Sequence, residues 1–252
     1  MKYLNNEFKE FINFKLGTVN IPSSIDEIFG HNFDQHYTVY YNRHSDSILN
    51  HLCDKYGSDK GEIAKTGHPY PWPSHSYADF IERHFGHCRA FVQNIFECGL
   101  GTNNPTLASN MTATGQPGAS LRVWREYFPS AQIYGADIDK DILFNEERIS
   151  TFYCDQTSPK SILELWDSIG GIEFDIIIDD GLHTFEAGLC LFEHSFHKLK
   201  KYGIYIIEDV TIESLISFKQ YFTSKKYDYD FVNLYRNNFR LGDNNLVVVR
   251  KC

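Results

Sequence analysis

Five short apolar runs, each carrying an acidic residue at or beside its end, limit what this chain can fold into. They are VQNIFEC, AQIYGAD, ISTFYCD, FDIIIDD and GIYIIED. Between them lie the helix-length amphipathic segments SLRVWREYF, KDILFNEE, PKSILELWDSI, TFEAGLCLFEHSFHKLKK and TIESLISFKQYF. Strands alternating with helices predict right-handed βαβ units around a parallel sheet. A last pair, YDYDFVNLY and NLVVVRK, is separated by the polar RNNFRLGDN and predicts a terminal hairpin. The expected fold is α/β: a Rossmann-like, doubly wound, mostly parallel seven-stranded sheet. A C-terminal antiparallel hairpin and an N-terminal helical and loop extension complete it.

The length of 252 residues, with 42% hydrophobic, suits one sizeable core with an elaboration rather than two equal domains. The expected division is an extension over 1–90 and a ligand-binding domain over 91–252. Residues 1–90 show helical-looking pieces and no strong strand signal, and their stretch KYGSDKGEIAKTGHPYPWPSHSY is rich in Gly, Pro and Ser. Such a stretch reads as a binding loop or lid. His75 and Tyr77 are its candidates for contact with cofactor or acceptor.

A formal charge of −9 excludes broad binding to nucleic acid or an anionic membrane, because both need a basic footprint. The six scattered cysteines have no metal-ligand spacing and read as reduced thiols. The opening MKYLNNEFKEFINFK is amphipathic and lacks an apolar signal core, and no run approaches a membrane span. The expectation is a soluble, cytoplasmic protein without a membrane span. Apolar faces near the N-terminus are its candidate homo-oligomer contacts.

In an open α/β sheet, ligands bind beyond the carboxyl ends of the strands, near the point where strand order reverses. Here that rim carries Glu97, Asp137, Asp155, the pair Asp179 and Asp180, and the pair Glu208 and Asp209. Any one of these has an ordinary use as a turn or cap residue; five in succession point to a site. Gly99 and Gly101 in FECGLGT let the backbone turn tightly and approach a ligand. The polar, Pro- and Gly-containing NNPTLASNMTATGQPG that follows is no pyrophosphate-binding helix, which favours a ligand without a pyrophosphate. Asp137 in IYGADIDKD suits a ribose diol, with Asp139 as competitor or helix cap. Asp155 and Gln156 suit an adenine edge, or else a turn and N-cap.

The ordered set E-x-G-x-G-T, GADID, DQ, DDG-x-H and IEDV resembles class I S-adenosylmethionine-dependent methyltransferases. Within them it is similar to the metal-dependent sugar O-methyltransferases of the macrocin/mycinamicin type and related bacterial polysaccharide-pathway enzymes. The resemblance runs from about Tyr56 to the C-terminus and includes YGSDKG, HSYADF, GTNNP, GASLRVWREYFP and LWDSIGGIEFDIIIDDG. It implies that the Glu97–Gly101 turn holds the methionine part of the cofactor, Asp137 the ribose, and Asp155 with Gln156 the adenine. It further implies Asp180, Glu208 and Asp209 as ligands of Mg²⁺ or another divalent cation, and His183 as catalytic base. Leu182 stands where that family often has a serine.

The residues agree with that chemistry. A sugar hydroxyl is a poor nucleophile at neutral pH, so a cation that lowers its pKa and a nearby base both help. Carboxylates from neighbouring strand ends suit a hard cation. Successive side chains of a strand face opposite ways, so Asp179 and Asp180 cannot both enter one site. Asp179 is left a positional role, capping the helix from Thr184 or touching cofactor. His194 and His197 sit in an amphipathic segment as surface or packing residues, and Trp124 and Phe128 follow core spacing.

The implied acceptor is a small molecule, a nucleotide-linked or polysaccharide-derived sugar. Methylation of a phosphoryl-type or amine acceptor is the alternative within the class. A metal-dependent hydrolase would use the same carboxylates but would leave ECGLGT, GADID and DQ without a purpose.

Overall fold

The computed structural model describes residues 37–42, 46–63, 67–236 and 241–252. The MKYLNNEFKEFINFK segment, and the oligomer contacts expected there, lie outside the described residues.

One mixed sheet organises the chain. Its strands are β1 (Tyr37–Asn42), β2 (Asn94–Cys98), β3 (Gln132–Asp137), β4 (Asn145–Glu146), β5 (Ile149–Tyr153), β6 (Phe174–Asp179), β7 (Leu199–Ile207), β8 (Asp228–Arg236) and β9 (Asn245–Arg250). Their order across the sheet is β1-β8-β9-β7-β6-β2-β3-β5-β4. The five strands from β5 to β7 are parallel, as the alternating pattern predicts. β8 and β9 form the expected hairpin, with β9 inserted antiparallel beside β7.

Two edge strands extend the expected seven. β1 pairs parallel with β8 in a region whose sequence shows no strong strand signal. A run this short becomes a strand when an unpaired edge supplies its hydrogen bonds. The segment KDILFNEE, read as helical, is instead a single 3-10 turn over Lys140–Ile142 followed by β4. Asp139 Oδ1 accepts from the Asp141 N–H and stabilises that tight turn, and Arg122 and Arg125 hold Glu146 of β4. Local capping and ion pairing prevail over periodicity there.

Six helices of nine or more residues cover the sheet among the described residues: α1 (Ile48–Tyr56), α2 (Tyr77–Phe85), α3 (Ala119–Tyr127), α4 (Pro159–Ile169), α5 (Phe185–Ser195) and α6 (Ile212–Thr223). None is long and apolar enough to cross a membrane. Residues from α1, α2 and α3 join Ile95, Ile133, Ile176, Ile178, Ile206 and Val248 in one apolar cluster. Residues from α4, α5 and α6 join Phe96, Ile177, Tyr205, Ile207, Val247 and Val249 in the other. The alternation of Ile176 and Ile178 with Ile177 follows from the strand period of two, with both faces covered. Side-chain caps set several helix starts: Ser158 before Pro159 on α4, Thr184 on α5 and Thr211 on α6.

β2 is flanked by β3 on one side and β6 on the other, so the chain reverses its direction of travel there. The carboxyl ends of β2 and β6 therefore frame the crevice where such sheets bind ligands.

Candidate active site

The loops after β2 and β6 press together at this reversal. Asp180 N–H donates to Cys98 O at 2.8 Å. Gly99 has φ +94°, and a Cβ there would lie 1.9 Å from Asp180 O. Only glycine fits, on both conformational and steric grounds. Gly101, with φ +77°, leaves no room for a Cβ beside Met111 Sδ. A cavity of about 410 Å³ opens above this crossing, a size suited to a small-molecule ligand.

Of the residues singled out by sequence, Gly99, Gly101, Asp137, Asp155, Gln156, Asp180, His183, Asp209 and His75 line that cavity. Glu97, Tyr77, Asp179 and Glu208 do not.

Asp137 accepts from the Leu100 N–H at 2.7 Å and the Asp139 N–H at 2.8 Å, which anchors the glycine turn to the end of β3. Asp139 is the cap residue of the pair; its other oxygen accepts from Thr102 Oγ1. Asp155 accepts from the Thr157 N–H and Oγ1. Gln156 is committed at both ends of its amide: Nε2 donates to Asp179 Oδ1 at 2.6 Å and Oε1 accepts from the Leu182 N–H at 2.9 Å. It braces the DDGL turn, where a Cβ on Gly181 would push against Gln156 Oε1 at 2.0 Å.

The strand pleat separates Asp179 from Asp180. Asp179 faces a small cavity on the α5 side, beside Gly188 and Phe218, rather than the main one. It does not cap α5, whose start is held by Thr184. Burial raises Asp179 to a pKa of about 7.

Asp180, His183 and Asp209 converge, each offering one ligand atom within 4.8 Å of the others. His183 Nε2 lies 3.4 Å from Asp180 Oδ1 and 3.3 Å from Asp209 Oδ2. Burial opposes charge on this imidazole, but Asp209 and Asp180 overcome it and hold the pKa at about 10. His183 and Asp209 both occupy left-handed backbone, with φ 59° and 52°. Strained conformations of this kind persist where the surroundings enforce them, commonly at functional sites.

Lys60, to which no spacing or motif in the sequence gives a role, stands at the centre of the remaining carboxylates. Its Nζ donates to Asp180 Oδ2 at 2.5 Å and to Glu208 Oε2, and lies 3.5 Å from Glu97 Oε1. Burial works against its charge, but Asp180, Glu208 and Glu97 keep its pKa well above the ordinary lysine value. The same ammonium, with His183, holds Asp180 at about 2 against the effect of burial.

Glu97, expected to cradle the ligand directly, is sealed: Trp124 Nε1 donates to its Oε2 and Lys60 faces its Oε1. Trp124 is thus both core and partner. Glu208, expected beside Asp180 and Asp209, turns its Oε2 to Lys60 and stays outside their group with His183. Its Oε1 is buried without a hydrogen-bond partner among the described residues.

The loop that delivers Lys60 begins where α1 ends at Gly57 in the left-handed region, φ 75°. It pairs with the 75–78 segment through His75 N–H to Asp59 O at 2.7 Å and Ala78 N–H to Lys60 O at 2.8 Å. Tyr77, expected to touch ligand, instead donates to Asp209 Oδ1 and accepts from the Asp209 N–H at 3.0 Å. His75 Nε2 is 3.1 Å from the same Oδ1 and 3.6 Å from Asp243 Oδ1. Burial would lower this ring, but Asp209 and Asp243 hold it at about 9. A YGSDKG turn followed by HSY is the signal in the sequence; spacing alone does not say where it docks.

No family model matches the chain. It is 33% identical over 159 residues to an 8-demethyl-8-alpha-L-rhamnosyl tetracenomycin-C 2'-O-methyltransferase of Streptomyces olivaceus, covering 63% of this chain and 36% of that protein. It is 32% identical over 160 residues to the demethylmacrocin O-methyltransferase of Streptomyces fradiae, covering 63% and 38%. A mycinamicin VI 2''-O-methyltransferase of Micromonospora griseorubida is 31% identical over 159 residues, 61% of this chain and 37% of that one. The chain thus matches well under half the length of these relatives.

Among solved structures, the MycE methyltransferase of the mycinamycin pathway, in complex with Mg, SAH and mycinamycin VI, superposes with a TM-score of 0.58. The match has 24% identity and covers 81% of this chain and 55% of that one. A second structure of that protein, with Mg and SAH, gives a TM-score of 0.56 at 23% identity over 82% and 55% of the two chains. These likenesses establish the Rossmann-like methyltransferase fold. In sequence over its matched part, and in fold, this chain resembles the S-adenosylmethionine-dependent sugar O-methyltransferases of the macrocin and mycinamicin type.

Proposed function

We propose that this chain is an S-adenosylmethionine-dependent O-methyltransferase that uses Mg²⁺ or a similar divalent cation. Its acceptor is a hydroxyl of a sugar or sugar-like molecule in bacterial glycoside or polysaccharide biosynthesis. The observation that carries this reading is the shared cavity: the Gly99–Gly101 turn, Asp137 and Asp155 line it together with Asp180, His183 and Asp209. Those two halves suit a nucleoside cofactor and an acceptor respectively, and the relatives' names supply the sugar.

The residues present fit both implied groups. The glycine turn is a cradle that side chains would fill, and Asp137 borders it where a ribose diol would bind. Asp155 and the wall made by Gln156 border the adenine end. Asp180 and Asp209 offer carboxylate oxygens to a hard cation, with His183 beside them, whereas Glu208, expected as a third ligand, is tied to Lys60 outside that group. When bound, the cofactor supplies an electrophilic methyl group on a sulfonium, and the cation supplies charge that favours the ionised hydroxyl.

The chain's own residues then have separate tasks. The walls of the cavity would orient the acceptor hydroxyl toward the methyl donor, and such orientation is worth several kcal/mol. His183 Nε2 would take the hydroxyl proton, and the bound cofactor would supply the methyl group that the oxygen accepts. To act as a base His183 must be neutral. Asp180 and Asp209, which hold its proton, release it when their charge is compensated. The 67–77 loop, through His75, closes the acceptor end and limits water.

Thermal melting with S-adenosylhomocysteine tests the reading. The melting temperature should rise with ligand, since saturation at 100 times Kd contributes about 2.7 kcal/mol, and Mg²⁺ should raise it further or be needed for turnover. No shift across millimolar S-adenosylhomocysteine would sink the proposal.

A further inference from the structure

Each of the three carboxylates assigned to the cation has one oxygen gripped by a protein donor, and Asp180 and Asp209 turn the other toward His183 in the main cavity. Asp180 gives Oδ2 to Lys60 and turns Oδ1 toward His183. Glu208 gives Oε2 to Lys60, while its buried Oε1 has no hydrogen-bond partner among the described residues. Asp209 gives Oδ1 to Tyr77, with the His75 imidazole ion-paired to it at 3.1 Å, and turns Oδ2 toward His183.

Lys60 alone among the described residues grips both Asp180 and Glu208. It reaches them from a loop over a hundred residues earlier in the chain, with Asp180 at a sequence separation of 120 and Glu208 at 148. Its side chain is 3% exposed, so it is built into the site rather than resting on its surface. The backbone fixes it: Ala78 N–H holds the Lys60 carbonyl, and a Cβ on Gly61 would lie 2.5 Å from Asn50 Oδ1.

We propose that Lys60 is a positioning residue of the divalent-cation site, clamping Oδ2 of Asp180, with Glu208 as its second anchor, so that Asp180 Oδ1 is presented to the ion. This inference rests on the cation reading of the proposed function. It goes beyond that reading by assigning the role to a residue that contributes no ligand atom. The opposing view treats Lys60 as a counter-ion that merely neutralises the acidic cluster. The two differ in sign. Removing a clamp weakens ion binding, and loss of such outer partners typically costs about 10–100-fold in metal affinity. Removing a competing positive charge strengthens ion binding.

The test is Mn²⁺ titration of the full chain, read as the loss of the free Mn²⁺ signal by electron paramagnetic resonance. S-adenosylhomocysteine affinity and melting temperature are measured in parallel. Lys60→Met should bind Mn²⁺ at least about tenfold more weakly while retaining S-adenosylhomocysteine binding. Unchanged or tighter Mn²⁺ binding overturns the inference. Should that variant fail to fold, Lys60→Arg serves instead: it keeps the charge, displaces the donors, and should still weaken Mn²⁺ binding at a near-native melting temperature. Native affinity in Lys60→Arg would overturn the clamp. A wild type that binds no Mn²⁺ removes the cation reading and this inference together, whereas a bound wild type with unaltered variants removes the inference alone.

Discussion

Tyr77 and Asp209 are joined twice: the phenol donates to the carboxylate Oδ1, and the Asp209 N–H donates back to the phenol oxygen at 3.0 Å. The double contact holds a carboxylate whose own backbone sits at φ 52°. Tyr77 starts α2, so packing of that helix on the sheet is transmitted directly to the far end of β7. Tyr77→Phe takes a partner from Asp209 Oδ1, the Asp209 N–H and Asp243 O, all partly buried, at roughly 1–3 kcal/mol. At about 2–4 °C per kcal/mol for a chain of this size, the melting temperature should fall by several degrees. Calorimetry checks this, and an unshifted melting temperature would show that the contact carries no stability.

His183 is tested by a substitution that respects its left-handed backbone. Asparagine tolerates that region better than alanine, so His183→Asn isolates the imidazole. Turnover should fall by about 10²–10⁴ while S-adenosylhomocysteine binding stays within about twofold of wild type. Steady-state kinetics and calorimetric titration read the two quantities, and undiminished turnover would take the base role from His183.

Gly99→Ala should be far more damaging than a surface change. Its Cβ would lie 1.9 Å from Asp180 O, and φ is +94°. Neither backbone segment has room to move without parting the ends of β2 and β6. A loss of about 3 kcal/mol or more, or failure to accumulate folded protein, is expected. A soluble variant with wild-type melting and S-adenosylhomocysteine affinity would contradict the crossing.

Asp179 contributes a pH dependence of stability in the cation-free protein. Burial raises its folded pKa to about 7, against about 3.9 for an unfolded aspartate. Between those values the unfolded chain releases its proton first, so stability falls as pH rises from about 4 to about 7 and levels off above. The ceiling is about 4 kcal/mol. Asp179→Asn can still accept from Gln156 and Gly181, but it does not titrate. Melting in the presence of a chelator at pH 5 and pH 8 should show the variant gaining relative to wild type at the higher pH. A pH-independent difference would mean that Asp179 is not held protonated.

Much of this architecture is legible in the residues themselves. FDIII reads as a buried strand because its hydrophobic run is short and closes on carboxylates, and Asp180 and His183 read as site residues by their place beyond it. The helix expected from KDILFNEE does not form, because the cap made by Asp139 and the grip of Arg122 and Arg125 on Glu146 outweigh a weak period.

The chain's local pattern determined the alternating α/β order, the glycine crossing and the acidic rim, since strand period, helix caps and φ preferences act within a few residues. Only the tertiary structure decided how the rim is divided. It sealed Glu97 behind Trp124 and Lys60, turned Asp179 to the α5 side, and placed Tyr77 against Asp209. It also set Lys60 between Asp180 and Glu208. Those outcomes depend on where two distant loops dock, and burial makes each charged group require a partner. Which distant residue becomes that partner is settled by packing, not by spacing along the chain.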